Sequence, residues 1–223
     1  MDRNATHSVA KPAPRRTAAA GRPGARAQRS AERRSAILSA ALDEFAARGF
    51  AATRLDDVAR RAQVAKGTIY LHFADKESLF QEIIHQELSP VVGALEHVSH
   101  ADMPVQQLAG MLVEVFVREI FETRRKDVIR LIITEGPRFP KLAEFYYREV
   151  IAHVMATIRG MLGRAAARGE IKHDALVRFP QLLAAPGIVA ILWSGLFDRF
   201  EPLDVRALLR AHFEILFDNG GVA

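Results

Sequence analysis

The stretch TRLDDVARRAQVAKGTIYLHFADK, residues 53–76, decides the fold. It predicts two short helices joined by a turn at Gln63 and Val64, followed by the start of a third helix. Apolar residues at helical spacing form one face of each short helix. In the second helix Ile69 and Phe73 are expected to face inward, which leaves short polar, basic and aromatic side chains exposed. Because base edges and phosphates are contacted by such side chains, the stretch predicts a DNA-reading head.

The helix starts in this stretch differ in their capping residues. Thr53 is expected to cap the first short helix, because Asp56 follows three residues later in a variant of the capping box. Asp75 is expected to cap the third helix, which begins at Lys76. The second short helix starts after Ala65, whose side chain cannot accept a capping hydrogen bond.

Over roughly residues 30–84 the sequence resembles the helix-turn-helix region of tetracycline-repressor-type (TetR-family) transcription regulators. The residues that carry the resemblance are Thr53, Val58, Ala59, Ala62, Val64, Lys66, Gly67, Ile69, Tyr70, His72, Phe73 and Lys76. Two positions depart from the family pattern: Gln63 stands where Gly is common, and Ala65 where a capping Ser is common. Gln63 is therefore expected to adopt a positive φ, which Gly would tolerate more easily.

The resemblance implies that the head binds double-stranded operator DNA. By the family's pattern, Tyr70, His72 and Lys76 contact phosphates, and Thr53 adds a contact from the start of its helix. A helix N-terminus presents free amides and a partial positive charge to a phosphate, which suits Thr53 and Lys76.

Three further residues of the second short helix are expected to lie nearest the base edges. These are Lys66, Gly67 and Thr68. The alternative interpretation is that the exposed side chains of this helix form an ordinary solvated surface.

The charge of the chain is unevenly distributed. The chain has 223 residues and a net charge of +5, and residues 1–29 contain seven basic residues against Asp2 alone. This segment is rich in Ala, Pro, Gly and Arg, so it is predicted to be a disordered basic tail. Two interpretations stay open for it: a basic arm that neutralises DNA phosphates, or a solubilising extension.

Composition restricts the class of protein. With 49% hydrophobic residues the chain can bury a substantial core. No run approaches the roughly 20 apolar residues of a membrane span, and the first residues lack the apolar core of a secretory signal. The chain is therefore expected to be cytoplasmic and to have no membrane contact. The absence of cysteine excludes disulfides and thiolate metal sites.

Beyond the head, apolar residues recur at intervals of three and four, which predicts an all-α fold. The first helix of the head is predicted over residues 31–48, ended by Gly49. Pro90 predicts a kink or a helix end immediately before it, and a bend or break is expected at Pro180 and at Pro186-Gly187. The body helices are predicted over residues 104–122, 125–135, 140–168, 174–198 and 204–217.

The expected domain organisation has three parts: the disordered tail at residues 1–29, the helix-turn-helix head at residues 30–75, and a ligand-binding and dimerisation body at residues 76–223. The core of the head is small, so the head is expected to be stabilised by packing against the body. The last two helices carry much apolar surface for a chain terminus. The resemblance implies that two chains pair through these two helices from each, so a homodimer is expected.

The body contains more aromatic residues than a thin helical bundle needs. The resemblance implies a ligand pocket enclosed by body helices, and an apolar cavity would suit a hydrophobic small-molecule effector. The predicted ligand-binding residues are Phe116, Phe139, Phe145, Tyr146 and Trp193. For each of them ordinary core packing is the alternative.

The sequence contains no HExxH, GxSxG or Gly-rich phosphate loop, so no catalytic residue is assigned and no enzyme is expected. His97 and His100 have helical spacing but lack a third metal ligand, so neither a metal nor a cofactor is expected. The sequence thus predicts a repressor that a small effector releases from a palindromic operator. The alternatives are a regulator with the same head but no effector, an activator, or a helical enzyme with a basic tail.

Overall fold

The computed structural model describes residues 23–171 and 174–217, and within these ranges every regular element is helical. The predicted all-α fold class is therefore confirmed. The helices are α1 (Pro23–Ala52), α2 (Leu55–Arg61), α3 (Lys66–His72), α4 (Lys76–Ser99), α5 (Val105–Val115), α6 (Arg125–Glu135), α7 (Pro140–Tyr146), α8 (Ala152–Ala167), α9 (Ala175–Arg178), α10 (Gln181–Leu196) and α11 (Val205–Phe217). Two π-helical turns, Phe116–Phe121 and Tyr147–Ile151, follow α5 and α7.

Helix α1 begins at Pro23, earlier than the predicted start at residue 31. It therefore includes the end of the segment predicted to be a disordered tail. The remainder of that segment, residues 1–22, lies outside the described residues. At Gly49 the backbone leaves the helical conformation with a φ of 77°. Glycine adopts this value without steric cost, so the predicted stop at Gly49 is confirmed.

The turn between α2 and α3 forces an unusual backbone conformation on Gln63, whose φ of 55° confirms the expectation of a positive value. The predicted cap of α2 is wrong. Its N-cap residue is Arg54, which makes no side-chain cap bond. The Thr53 hydroxyl instead donates to the carbonyl oxygens of Gly49 at 2.8 Å and Glu44 at 3.2 Å. Helix ends leave such carbonyls without partners, and Thr53 satisfies them at the end of α1.

Helix α4 connects the head to the body. Asp75 caps it as predicted: Asp75 Oδ1 accepts a bond from the Ser78 amide at 2.7 Å, and Ser78 Oγ accepts one from the Asp75 amide at 3.2 Å. The bond from Ser78 lowers the pKa of the Asp75 carboxyl. Pro90 does not end the helix, which continues to Ser99, so of the two alternatives the helix end is wrong and the kink stays a prediction. Buried residues on both sides of Pro90 outweigh the loss of one backbone hydrogen bond.

The body helices follow the predicted segments with local differences. The predicted helix over residues 104–122 is α5 with its π-helical turn, and residues 140–168 form α7, the second turn and α8. A break occurs at Pro180, between α9 and α10, as predicted. Pro186 lies buried inside α10, so no break occurs there, and the alternative of a bend stays a prediction.

The core of the head continues into the body. The ring centroid of Phe50, at the end of α1, lies 5.5 Å from that of Phe80 in α4 and 4.7 Å from that of Phe139 after α6. The Phe50 amide also donates to Glu135 Oε1 at 3.3 Å. The expectation that the small head leans on the body is thus confirmed. The domain boundaries after residues 29 and 75 stay predictions.

A second apolar core joins α5, α8, α10 and α11, around fully buried residues such as Leu162 and Ala190. It lies beside the first core, and Phe116 and Val154 pack against both. None of the helices described is long and apolar enough to cross a membrane.

Candidate nucleic-acid interface and body cavity

Helix α3 presents an exposed face that no other part of the head covers. Ile69 is fully buried against the head core, and Lys66, Gly67, Tyr70 and Leu71 are exposed. These four positions follow helical spacing, so they share one side of α3. The structure therefore brings three predicted DNA contacts together on one surface.

Gly67 leaves space at the start of α3. A Cβ added at this position would meet no heavy atom within 4 Å. The absence of a side chain is therefore not required by packing in the free protein. A residue without a Cβ does allow another backbone or a DNA base to approach closely.

Lys66, the first residue of α3, is paired within the head. Its Nζ lies 2.7 Å from Asp56 Oδ2 in the first turn of α2. This hydrogen bond raises the pKa of the Lys66 ammonium, so the side chain remains protonated. Both side chains are largely exposed, and water and ions therefore screen the pair.

The side chains of the other predicted contacts are less exposed to solvent. Thr68 and His72 are half-buried, and His72 lies beside the ring of Phe73. Thr53 is only 2% exposed, and its hydroxyl is used inside the head. A side-chain contact between Thr53 and phosphate therefore has no support in its placement.

Lys76, at the start of α4, holds the end of α1. Its ammonium donates to the carbonyl oxygens of Phe50 at 2.9 Å and Ala51 at 2.8 Å, and it lies 4.9 Å from the centroid of the Phe50 ring. An ammonium has three N–H donors, so one remains for a phosphate. Lys76 thus has a structural role that its motif position does not indicate.

Sequence reasoning missed three exposed residues near the predicted contacts. Leu71 is 83% exposed on the same face as Tyr70. Arg60 of α2 and Arg54, the N-cap residue of that helix, are also exposed. The signal for Leu71 was its position four residues after Gly67, which places both on one side of a helix.

The body contains an apolar cavity of about 180 Å³. Its walls come from α4, α5, α6, α7, α8, α10 and α11 and from both π-helical turns. None of the described residues that line it is charged. Tyr146 contributes a hydroxyl, and burial raises the pKa of this group to about 12, so it stays neutral near pH 7.

The five predicted ligand residues divide into two groups. Phe116 and Tyr146 line the cavity. Phe139 instead packs on Phe50, at the joint with the head. Trp193 lies 5.1 Å from Phe197, ring to ring, and its Nε1 donates to the carbonyl oxygen of Glu201 at 2.8 Å.

Phe145, the fifth, packs against the first core, which the head and the body share, and its ring lies 5.6 Å from the Arg148 guanidinium. The cavity is therefore not bordered by Phe139, Phe145 or Trp193. Adjacent residues of one helix face different directions, so aromatic content alone could not separate Phe145 from Tyr146.

Gly187 of α10 shapes one wall of the cavity. A Cβ at this position would lie 2.7 Å from Cε2 of Phe116. Such an approach is far inside van der Waals contact, so only glycine lets the Phe116 ring pack here. The glycine therefore fixes the position of a cavity wall.

Two helices connect the cavity with the head. Helix α4 lines the cavity with Leu88 and Val92 and begins with Lys76. Helix α6 lines it with Ile129 and ends at Glu135, which binds the Phe50 amide. Both helices therefore contact the cavity and the head.

An exposed apolar stripe runs along α10. Leu182, Val189 and Leu196 are 40%, 51% and 62% exposed and stand seven residues apart. A spacing of seven places them on one side of the helix. Ile215 of α11, 79% exposed, adds to the apolar surface of the last two helices.

An exposed helix-turn-helix face on a helical body with an apolar cavity defines a DNA-binding regulator rather than an enzyme. Residues 37–83 match the family model described as bacterial regulatory proteins, tetR family. Residues 110–211 match the tetracyclin repressor-like C-terminal domain. The chain belongs to the TetR family of transcription regulators, as the resemblance in its sequence predicted.

Curated relatives agree with this assignment. The transcriptional repressor BepR of Brucella suis is 31% identical over 155 residues, which cover 65% of this chain and 71% of BepR. The transcriptional repressor KstR2 of Mycolicibacterium smegmatis is 31% identical over 120 residues, or 53% of this chain. The aligned part of the chain spans 57% of KstR2.

Solved structures show the same architecture. Salmonella enterica GusR superposes with a TM-score of 0.65 at 26% identity, covering 84% of this chain and 96% of GusR. A complex of SmeT with triclosan superposes with a TM-score of 0.70 at 21% identity, covering 85% of this chain and 93% of SmeT. The second likeness shows the fold alone.

Proposed function

We propose that this chain is a cytoplasmic transcriptional repressor that a small apolar effector releases from a palindromic operator. The observation that carries the proposal is the joint placement of the two sites. Helix α4 connects the two sites, because it begins with Lys76, a proposed phosphate contact, and lines the apolar cavity with Leu88 and Val92. Repression rather than activation is favoured by the relatives BepR and KstR2, both of which are named transcriptional repressors.

The proposed DNA contacts divide by chemistry. Lys66, Gly67 and Thr68 lie at the start of α3, where side chains of a recognition helix reach base edges. Tyr70, His72 and Lys76 serve as phosphate contacts: Tyr70 is 50% exposed and Lys76 has one free donor. Phosphate contacts supply affinity and position, and base contacts supply sequence preference.

The proposed dimer forms through α10 and α11. The stripe of Leu182, Val189 and Leu196 is an exposed apolar surface that a second copy of the same helix can cover. Two-fold pairing brings identical surfaces together, and it matches a palindromic operator with two half-sites. The partner is therefore a second copy of this chain.

The proposed effector is small, apolar and uncharged. Burial of an ion in a cavity without charged partners is strongly unfavourable. An apolar cavity of about 150 Å³ is large enough to bind benzene. The cavity of about 180 Å³ therefore suits an aromatic or aliphatic molecule of modest size, with at most one polar group for the Tyr146 hydroxyl.

The proposed mechanism of release is a shift of the heads. An effector in the cavity favours the position of α4 that leaves room for it, and Lys76 moves with the same helix. Paired recognition helices must lie about 34–36 Å apart, or a multiple, to reach successive major grooves. A change of a few ångströms in their spacing therefore prevents both heads from binding together.

Three measurements test this function. Selection from a random duplex pool should first yield a palindromic operator for the purified protein. A thermal-shift screen should then find neutral aromatic ligands, such as p-cresol, and reject matched carboxylates, such as p-hydroxybenzoate. Calorimetry with saturating operator should weaken the affinity of the selected ligand about 5–150-fold, because coupling is reciprocal. Equal affinities with and without operator would contradict effector release and leave a regulator without this control.

A further inference from the structure

The DNA-facing surface contains an ion pair that the proposed contacts leave unexplained. Lys66 Nζ donates to Asp56 Oδ2 at 2.7 Å. The other carboxylate oxygen, Asp56 Oδ1, is buried and has no hydrogen-bond partner. Among the side chains of residues 27–171 and 174–217, Lys66 is the single one that binds the Asp56 carboxylate.

The neighbouring Asp57 behaves differently. Its side chain is 16% exposed and pairs with Arg60 at 3.0 Å and Arg48 at 3.4 Å. Asp57 is therefore part of the packing between α1 and α2. The Asp56 and Lys66 side chains are 46% and 63% exposed, and their pair spans the two helices of the DNA-reading unit.

We infer that Asp56 is a specificity-determining residue that competes with DNA for Lys66. The inference rests on the proposed function, in which α3 reads operator DNA. In the free protein Lys66 is hydrogen-bonded to Asp56, so Lys66 can contact DNA only after this ion pair breaks. The broken pair leaves a carboxylate without a partner beside a polyanion.

On non-specific DNA this exchange is unfavourable. A phosphate offers Lys66 a charged acceptor that is no better placed than Asp56, and the freed carboxylate is repelled by the phosphates. Non-specific affinity depends on the number of cations that neutralise phosphates, with a salt slope of about −0.9 for each. The pair thus withholds two cations per dimer from non-specific DNA.

On the operator the exchange can be favourable. Guanine presents O6 and N7 as two neighbouring acceptors in the major groove, and lysine donates to both. A matched guanine therefore replaces one carboxylate oxygen by two base acceptors. Because only the correct base offers this replacement, Asp56 lowers the affinity for wrong sequences more than for the right one.

The test is a double-mutant cycle with Asp56→Asn and Lys66→Met, measured on a mixed-sequence duplex and on the selected operator over a range of salt. Asp174→Asn is the matched control, because it removes the same charge from an exposed pair with Arg178 in the body. Thermal unfolding of each variant verifies that the fold is retained.

Asp56→Asn should raise non-specific affinity about tenfold at low salt and steepen the salt slope by about 1.8 per dimer. Operator affinity should rise less, so the specificity ratio should fall. In the Lys66→Met background the same substitution should leave the slope unchanged. An equal effect in both backgrounds, or an equal effect of Asp174→Asn, would overturn the inference, because general charge would then suffice. A wild-type protein that binds neither duplex would instead overturn the proposed function.

Discussion

The proposed DNA-facing surface, which is the exposed side of α3, and the body cavity are built in opposite ways. The surface uses residues of one short helix that lie within six positions of each other, from Lys66 to Leu71. The cavity draws its walls from seven helices, and all the described lining residues are uncharged. A polar binding surface can therefore be formed by one short sequence motif, but an apolar cavity requires contacts between segments that are distant in sequence.

The difference has a consequence for how each region responds to change. The surface is exposed, so charge and salt control its binding. The cavity is enclosed by packed side chains, so volume and shape control its binding. Substitutions that separate these two responses test the comparison directly.

The largest effect is expected from disruption of the proposed dimer, because operator binding by two heads depends on it. Val189→Glu with Leu196→Glu places two charges on the exposed stripe of α10. We expect a monomer by analytical ultracentrifugation and a loss of operator affinity of about 10²–10⁴, because the second head no longer binds intramolecularly. Tyr147→Glu, which changes an exposed aromatic residue outside α10, is the control and should stay dimeric. A dimer that persists in the double variant would contradict the proposed interface.

The next effect separates the cavity from the surface. Ala184 lines the cavity on α10, and Ala184→Phe should fill part of it. We expect the effector to lose its roughly 5–150-fold influence on operator affinity, whereas operator affinity without effector stays unchanged. Fluorescence anisotropy with labelled operator measures both quantities. Ala156→Phe on the exposed side of α8 should respond to effector like the wild type; a similar loss there would point to general distortion of the body.

A smaller effect is expected from a substitution on the exposed side of α3. Gly67→Ala adds a Cβ where the free protein has open space, so thermal stability should stay equal or rise slightly. Operator affinity should fall about tenfold to a hundredfold if the base edge approaches this backbone, since one base contact is worth about 1–3 kcal/mol. Gly93→Ala in α4, also in open space, should leave DNA binding unaffected. Unchanged affinity for Gly67→Ala would remove Gly67 from the contact set.

The smallest effect concerns the basic residues that precede α1. Removal of residues 1–22 keeps Pro23, the first residue of α1, and deletes five basic residues. Affinity for DNA should fall about tenfold at low salt and little at high salt, because these charges act by counterion release. Filter-binding titrations at several salt concentrations measure the slope. Equal slopes for the two proteins would show that the segment does not contact phosphate.

Local chemistry made part of the structure predictable. Gly49 ends the regular part of α1, Gln63 adopts a positive φ and Asp75 caps α4, all as expected. Each of these features depends on backbone geometry and on hydrogen bonds within a few residues. Neighbouring sequence therefore contains most of the information.

Two features were predicted wrongly because the deciding contacts lie outside the helix to which the rule for each residue was applied. Thr53 had two possible sets of partners, and the carbonyl oxygens at the end of α1 prevailed over the amides of α2. Pro90 weakens α4 locally, yet burial of the residues around it keeps the helix continuous. Neither the preceding helix end nor the burial of a helix is included in the propensity of a single residue.

The sequence by itself determined the family, the all-α fold and the positions of α2 and α3. The apolar residues of these two helices stand at fixed helical spacing, and this pattern can be recognised without the structure. Only the tertiary structure decided which aromatic residues face the cavity, since Phe116 and Tyr146 reach it and Phe139 lies at the joint with the head. Only the tertiary structure showed the bond between Lys66 and Asp56, ten residues apart on two helices. Such contacts depend on the angle at which helices cross, and that angle is set by packing over the whole chain.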